Sequence, residues 1–429
     1  LINNTIKSKK LNEEIIIKEL DNGLKIFYMP KQGFTKKYAV FATNYGSNDN
    51  KFVPIGENEA IEVPEGIAHF LEHKLFEEPD GNVFNDFSKL GSYVNAYTNF
   101  NQTAYLFTCT DKFYDNLKLL VRFVQNPYFT DENVNKEKGI IEQEIRMYED
   151  SPGWKVFFNC LRGMYHNHPV RIDIAGTVES INRITKETLY KCYNTFYHPK
   201  NMILFIVGDI DFDKALEIVE KNQREDIENY TGSIKRFYPE EPKEIKNQFM
   251  EEKMSISTPL FNIGFKDSDV GYYGDKLLKK QIVTDILHEM LFGESSEFFQ
   301  KLYDEGLIDN TFGTQYVGNK DYGYSILGGE SEKPKVVMEE ILNYITKLKN
   351  EKLSEEDFNR IKKKFIGYHL MDFNSLEYIA NTFIKYYFNN TSLINYLRIL
   401  QEVDFKDIVE RFNSHFTSEN YTLSIVCNR

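Results

Sequence analysis

The feature that most constrains this chain is a repeat inside it. Tyr193–Asp209, YNTFYHPKNMILFIVGD, aligns without gaps on Phe412–Asn428, FNSHFTSENYTLSIVCN, at an offset of 219 residues. Earlier in each half, Thr130-Asp131-Glu132 opens one helical pattern and Ser354-Glu355-Glu356 opens another, at an offset of 224. One repeat with so long a period is a duplicated domain, not a solenoid. Between the copies, Lys221–Gln248 is charged and contains proline, which reads as a linker. The expected division is therefore 1–220 as the N-terminal half, 221–248 as linker and 249–429 as the C-terminal half. A chain of 429 residues has room for this.

The first half reads as strands and then helices. Glu14–Leu20 and Gly23–Tyr28 flank Asp21-Asn22-Gly23, a strong hairpin signal. Tyr38–Asn44 is rich in β-formers, and Tyr93–Thr98 with Thr103–Thr110 read as a strand pair. Ile203–Val207 is a short apolar run of the kind a buried strand requires.

Between these lies GIAHFLEHKLF, residues Gly66–Phe76. Taken as a helix, it places His69, His73 and Phe76 on one narrow face, with Glu72 about 60° to the side. Two imidazoles four residues apart can hold one metal ion, and a carboxylate beside them can act on its bound water. The order H-x-x-E-H is the inverzincin signature. A bland alternative is two half-exposed histidines on an amphipathic helix, so a third ligand is needed. The helix from about Thr130 to Tyr148 offers one. With Glu144 as zero, Val134, Glu137, Ile140, Ile141 and Tyr148 fall within about 80° of it, while Glu142 and Glu149 point away. Two inward carboxylates need partners. Either they pair with buried Lys or Arg, or Glu144 ligates a cation and Glu137 supports the site from behind.

The rest of the chain supplies exclusions. The net charge of −13 argues against nucleic acid or an anionic membrane as partner. No apolar run is long enough to span a bilayer, and LINNTIKSKKLNEE lacks the apolar core of a signal peptide. Cys109, Cys160, Cys192 and Cys427 form no C-x-x-C pair, which suits a reduced compartment. The expected location is cytoplasmic. His166 and His168 sit in a proline-bounded loop and read as structural, as do the isolated His198, His288, His369 and His415.

These motifs together resemble the pitrilysin and mitochondrial processing peptidase family of inverted zinc metallopeptidases. GIAHFLEHKLF is similar to its active-site helix, EKGIIEQEIRMYED to its third-ligand helix, and GSYVNAYTNFNQTAYLF to its G-x-x-x-N-A-x-T substrate strand. The likeness is strongest over residues 15–210 and closest to small bacterial members, the YmfH-like branch. It implies an α+β fold of two homologous halves, each a mostly antiparallel β-sheet with helices packed over it. It implies one Zn2+ per chain on His69, His73 and Glu144, with Glu72 as catalytic base and Glu137 as a second catalytic-site residue that holds a ligand or orients the helix. It implies substrate peptide added along Asn95, Ala96 and Thr98, and a zinc endopeptidase acting on short or unfolded peptides. A non-proteolytic binding or assembly subunit of the same fold is the alternative, since the family includes members that lost catalysis. A metal site with purely structural purpose is a third reading, but it leaves Glu72 without a role.

One family feature is missing. Active members carry an Arg and a Tyr in the second half, near S-S-R-L-F-x-x-L-R-x-x-x-G-L-x-Y. Here ESSEFFQKLYDEGLIDNTF puts Tyr303 and Asp309 in those places. Neither can do the same work, since Tyr303 carries no positive charge and ionised Asp309 donates no hydrogen bond. The resemblance thus implies a dimer, with a related chain supplying the Arg–Tyr pair favoured over a homodimer in which Tyr316 substitutes.

Overall fold

The structure, a computed structural model, describes residues 3–79, 81–224, 230, 232–417 and 419–429. Twelve strands are used below. In the first half they are β1 (Asn3–Ser8), β2 (Glu13–Glu19), β3 (Lys25–Pro30), β4 (Lys37–Thr43), β5 (Tyr93–Thr98), β6 (Thr103–Cys109) and β7 (Met202–Gly208). In the second they are β8 (Phe249–Met254), β9 (Leu260–Lys266), β10 (Gly313–Gly318), β11 (Gly323–Glu330) and β12 (Tyr421–Asn428). The helices that matter are α1 (Ile67–Lys74), α2 (Asp131–Glu149), α3 (Pro152–Met164), α4 (Asp275–Phe292), α5 (Glu355–Asp372), α6 (Leu376–Phe388) and α7 (Phe405–His415).

The first sheet runs β1-β2-β3-β7-β4-β6-β5 and the second β8-β12-β9-β11-β10. In each, one parallel pair (β3 with β7, β8 with β12) is followed by antiparallel neighbours. The last five strands of the first sheet repeat the order and directions of the second. The fold is therefore two homologous α+β halves, as the repeat implied. The N-terminal strand β1, pairing with β2, is an addition the sequence did not announce.

Local chemistry explains the elements. Gly23, at φ +89°, closes the β2–β3 hairpin, where Asn22 Oδ1 accepts from the Leu24 amide at 3.0 Å. Every residue of β7, MILFIVG, is buried. An uninterrupted apolar run suits a central strand covered on both faces.

Compact units do not follow the sequence halves. One unit comprises Leu1–Ile145, Asp173–Tyr238 and Asp372–Phe388, and the other Arg146–Ile172, Pro239–Met371 and Asn389–Arg429. Helix α6 of the second half covers the first sheet, with the Phe383 ring 4.8 Å from Phe27 and 4.6 Å from Phe205. Helix α3 of the first half lies on the second sheet, its Cys160 Sγ 3.9 Å from the carbonyls of Asn262 and Thr422. A Cβ on Gly264 would sit 2.6 Å from that sulfur, so glycine is what admits the close approach. The two helices are the same element of the repeat, since Pro152 and Leu376 stand at the 224-residue offset found in the sequence. Each copy has exchanged one helix with the other. The 221–248 stretch is partly a surface strap. Val53 donates to the Lys235 carbonyl at 3.0 Å and Tyr238 to Asp49 at 2.7 Å. Glu241 accepts from the amides of His166, Asn167 and His168 at 2.7–2.9 Å.

Candidate metal and catalytic site

Helix α1 starts at Gly66, whose φ of +84° is left-handed. A Cβ there would lie 2.3 Å from the Ala175 carbonyl oxygen, so only glycine turns the chain into α1 at this place. Ile67, Ala68, Phe70 and Leu71 are buried and fix the helix rotation. His69 and His73 are thereby turned to the other side, their ring centroids 4.6 Å apart.

Helix α2 is held at its start by a reciprocal pair. Thr130 N donates to Asn133 Oδ1 at 2.9 Å, and Asn133 N to Thr130 Oγ1 at 3.1 Å. Val134, Glu137, Ile141 and Ile145 form its buried face. That face brings Glu144 opposite the histidines, with Oε1 3.6 Å from His69 Nε2 and Oε2 3.5 Å from His73 Nε2. Among the described residues, His69, His73 and Glu144 are the group of three able to hold a metal, their donor atoms all within 4.8 Å.

These separations are too long for hydrogen bonds. They match the edge of a tetrahedron with bonds of 2.0–2.1 Å, about 3.4 Å, which is the geometry of zinc with nitrogen and oxygen ligands. Burial, and then the neighbouring His73, push His69 down to about 3, which keeps its imidazole neutral with a lone pair to give. The donor set fits zinc.

Around this group, His73 Nδ1 lies 3.1 Å from Glu137 Oε1. Glu72 is buried, and Thr98 Oγ1 donates to its Oε2 at 2.5 Å. Burial pushes Glu72 up to about 7, with Thr98 and His73 opposing and Glu144 adding to the rise. For His73, burial opposes the charged form, but the bond to Glu137 and the nearby carboxylates outweigh it and raise the pKa.

Among the described residues, strand β5 is the edge of the first sheet and pairs with β6. Asn95 and Ala96 line a cavity of about 570 Å3, together with Glu72, His73, Phe76 and Ile140. The inward phase predicted for Ile140 does not hold. It is 46% exposed and borders the cavity, while the adjacent Ile141 is buried. Phe76 lies past the end of α1 and stacks on Phe84 at 4.3 Å, forming an aromatic wall. Thr98, expected on the substrate strand, turns its hydroxyl to Glu72.

The sequence reading missed Lys74, which is fully buried and ion-paired with Glu77. Its signal was available. A lysine four residues after Phe70 and three after Leu71 lies on the apolar face, with an acid three residues on.

In the second half, Tyr303 is 44% exposed and stacks on Phe299. Asp309 accepts from the Thr311 amide at 2.8 Å. Tyr316 is buried and donates to Asp267 Oδ2 at 2.7 Å, so its phenol is engaged within the core.

A short helix with H-x-x-E-H, a glutamate from the next long helix and a duplicated sheet of this order define the inverted-motif zinc peptidase class. The chain belongs to the insulinase family of peptidases, M16. Residues 52–178 match the sequence model described as insulinase (peptidase family M16), and 183–365 that of the peptidase M16 inactive domain. It is 43% identical over 418 residues to YmfH of Bacillus subtilis, described as an uncharacterized zinc protease, covering 97% of both chains. It superposes on an M16-like peptidase from Alicyclobacillus acidocaldarius with a TM-score of 0.94 and 38% identity, over 99% of this chain and 100% of that one. A Helicobacter pylori protease shares the fold, with a TM-score of 0.82 at 22% identity over 97% and 99% of the two chains. Among the described residues no helix is long and apolar enough to cross a membrane.

Proposed function

We propose that this chain is the catalytic subunit of a zinc endopeptidase that cuts short or unfolded peptides. The observation that carries the reading is the placement of Glu72. It stands beside the His69, His73 and Glu144 donors and also faces the cavity that borders the free strand edge. A purely structural metal site has no use for a base that opens to such a cavity. Zinc held by the three ligands would supply a Lewis acid and an open fourth position.

The chain's own residues do the rest. Thr98 holds Glu72 Oε2, which leaves Oε1 to take a proton from the attacking water and pass it to the leaving amine nitrogen. Glu137 keeps His73 in one orientation through Nδ1. Asn95 and Ala96 on β5 receive an extended peptide by main-chain hydrogen bonds, a mode that reads backbone more than side chain. Folded substrates cannot offer such a strand.

The second half has Tyr303 where the family has its arginine and Asp309 where the family has its tyrosine, and Tyr316 is already bonded to Asp267. The reading therefore includes a related partner chain that supplies an Arg–Tyr pair. Zinc content and cleavage of a quenched peptide, measured on the chain alone and with a paralogue lacking H-x-x-E-H, test both parts. One zinc per chain with activity restored by the paralogue is expected. No cleavage with any partner would overturn the enzyme. Full activity in a purified chain shown by mass to be free of partner would end the heterodimer.

A further inference from the structure

Lys74 follows the second histidine directly, and its side chain is 0% exposed. Lysine is almost never fully buried unless paired, and among the described residues this one makes three polar contacts. Its Nζ is ion-paired with Glu77, donates to the Asn133 carbonyl at 3.4 Å, and lies 3.9 Å from Glu137 Oε2. The other oxygen of Glu137 is the one 3.1 Å from His73 Nδ1. One carboxylate therefore stands between a buried ammonium and the imidazole, using a different oxygen for each.

We propose that Lys74 is a positioning residue for the metal site: its ammonium holds Glu137, and Glu137 in turn fixes the His73 ring. The proposal rests on the reading that His69, His73 and Glu144 bind zinc. Glu137 is only 11% exposed and shares its surroundings with Glu72 and Glu144. A buried carboxylate without a cation is costly. The lysine offsets that cost where the solvent does not reach. It also ties α1 to the first turn of α2 through Asn133, joining the two helices that bring the ligands together.

A lysine that only filled space or tied helices would act independently of the Glu137 charge. The test is a double-mutant cycle on the full chain, read as zinc affinity by competition with a chelator, with thermal unfolding followed in parallel. Lys74→Met is expected to weaken zinc binding by about 10–100-fold, the usual cost of losing a residue behind a metal ligand. In the Glu137→Gln background, the same change is expected to cost less than about threefold. Equal losses in both backgrounds, or no loss in either, would overturn the proposal. Should Lys74→Met fail to fold, Glu77→Gln leaves Glu137 as the remaining carboxylate beside the ammonium among the described residues. Zinc binding at wild-type strength or tighter supports the relay, and a tenfold loss contradicts it. A wild-type chain that bound no zinc would instead remove the metal reading itself.

Discussion

Helices α2 and α5 are the same element in two copies, and they carry opposite kinds of residue on their equivalent positions. In α2 the positions are Glu137 and Glu144; in α5 they are Ile361, fully buried, and Tyr368, 53% exposed. The second unit has buried charge too, but it is arranged differently. Asp267 meets Arg411 at 2.7 Å, Lys280 at 2.9 Å and the Tyr316 hydroxyl at 2.7 Å. There each charge is met by an opposite charge of the chain. In the first unit, Glu144 stands 3.5–3.6 Å from two imidazoles, spaced for an ion. One cluster is closed by the chain's own charges, and the other has the donor spacing that a metal ion would need.

The contrast breaks most visibly at Glu72, which has no counterpart in the second half. Glu72→Gln is expected to retain zinc while peptide cleavage by the active assembly falls about 100–10,000-fold. Substantial turnover in that variant removes Glu72 from the chemistry.

Next in size is Asp267→Asn. It removes the carboxylate that Arg411 meets in the core, while Lys280 keeps Asp269, and about 3–5 kcal/mol of stability should be lost in denaturant unfolding. Zinc content should not change. Glu144→Gln should do the reverse, emptying the site with far less effect on the stability of the metal-free chain. Equal destabilisation by both would mean the two clusters do not differ in kind.

A pH series sharpens the same point. Burial pushes Asp267 up, but the Arg411 charge outweighs it and holds the carboxyl well below its usual range. A depressed carboxylate contributes stability that is fully present above its unfolded pKa, about 3.9, and is lost as pH falls below it. Wild-type stability should therefore drop more steeply below about pH 4 than that of Asp267→Asn, measured as unfolding midpoints.

Thr98→Val removes the hydrogen bond to Glu72, and about a tenfold loss in kcat is expected with zinc unchanged. Thr98→Ser should restore most of it. Ile140→Ala comes last: stability within about 0.5 kcal/mol of wild type, but altered side-chain preference next to the cut bond in a peptide-library digest. Unaltered preference would separate that cavity from substrate.

Much of this was legible in the sequence because it is local or periodic. The four-residue spacing of His69 and His73, the phase of Glu144 on a long helix and the alternation in β5 all follow from helix and strand geometry alone. The repeat announced two halves because seventeen residues near each end still align. What stayed hidden depends on tertiary packing. The exchange of α3 and α6 leaves no mark in periodicity, since either helix would bury the same face on either sheet. The exposure of Ile140 comes from a cavity wall formed by Phe76 and Phe84. Thr98 was read by its strand position, but its hydroxyl is claimed by Glu72, 26 residues away. Lys74 was passed over because a charged residue in a short helix is usually a solvated one.

The central claim, that a metal is held by this face of α2 and by no other, is tested most directly by metal analysis of two neighbouring variants. Glu142 and Glu144 are two residues apart, so a helix sends their side chains about 160° apart. The account predicts one zinc per chain in the wild type and in Glu142→Gln, and little or none in Glu144→Gln. A full site in Glu144→Gln, with an empty one in Glu142→Gln, would contradict it.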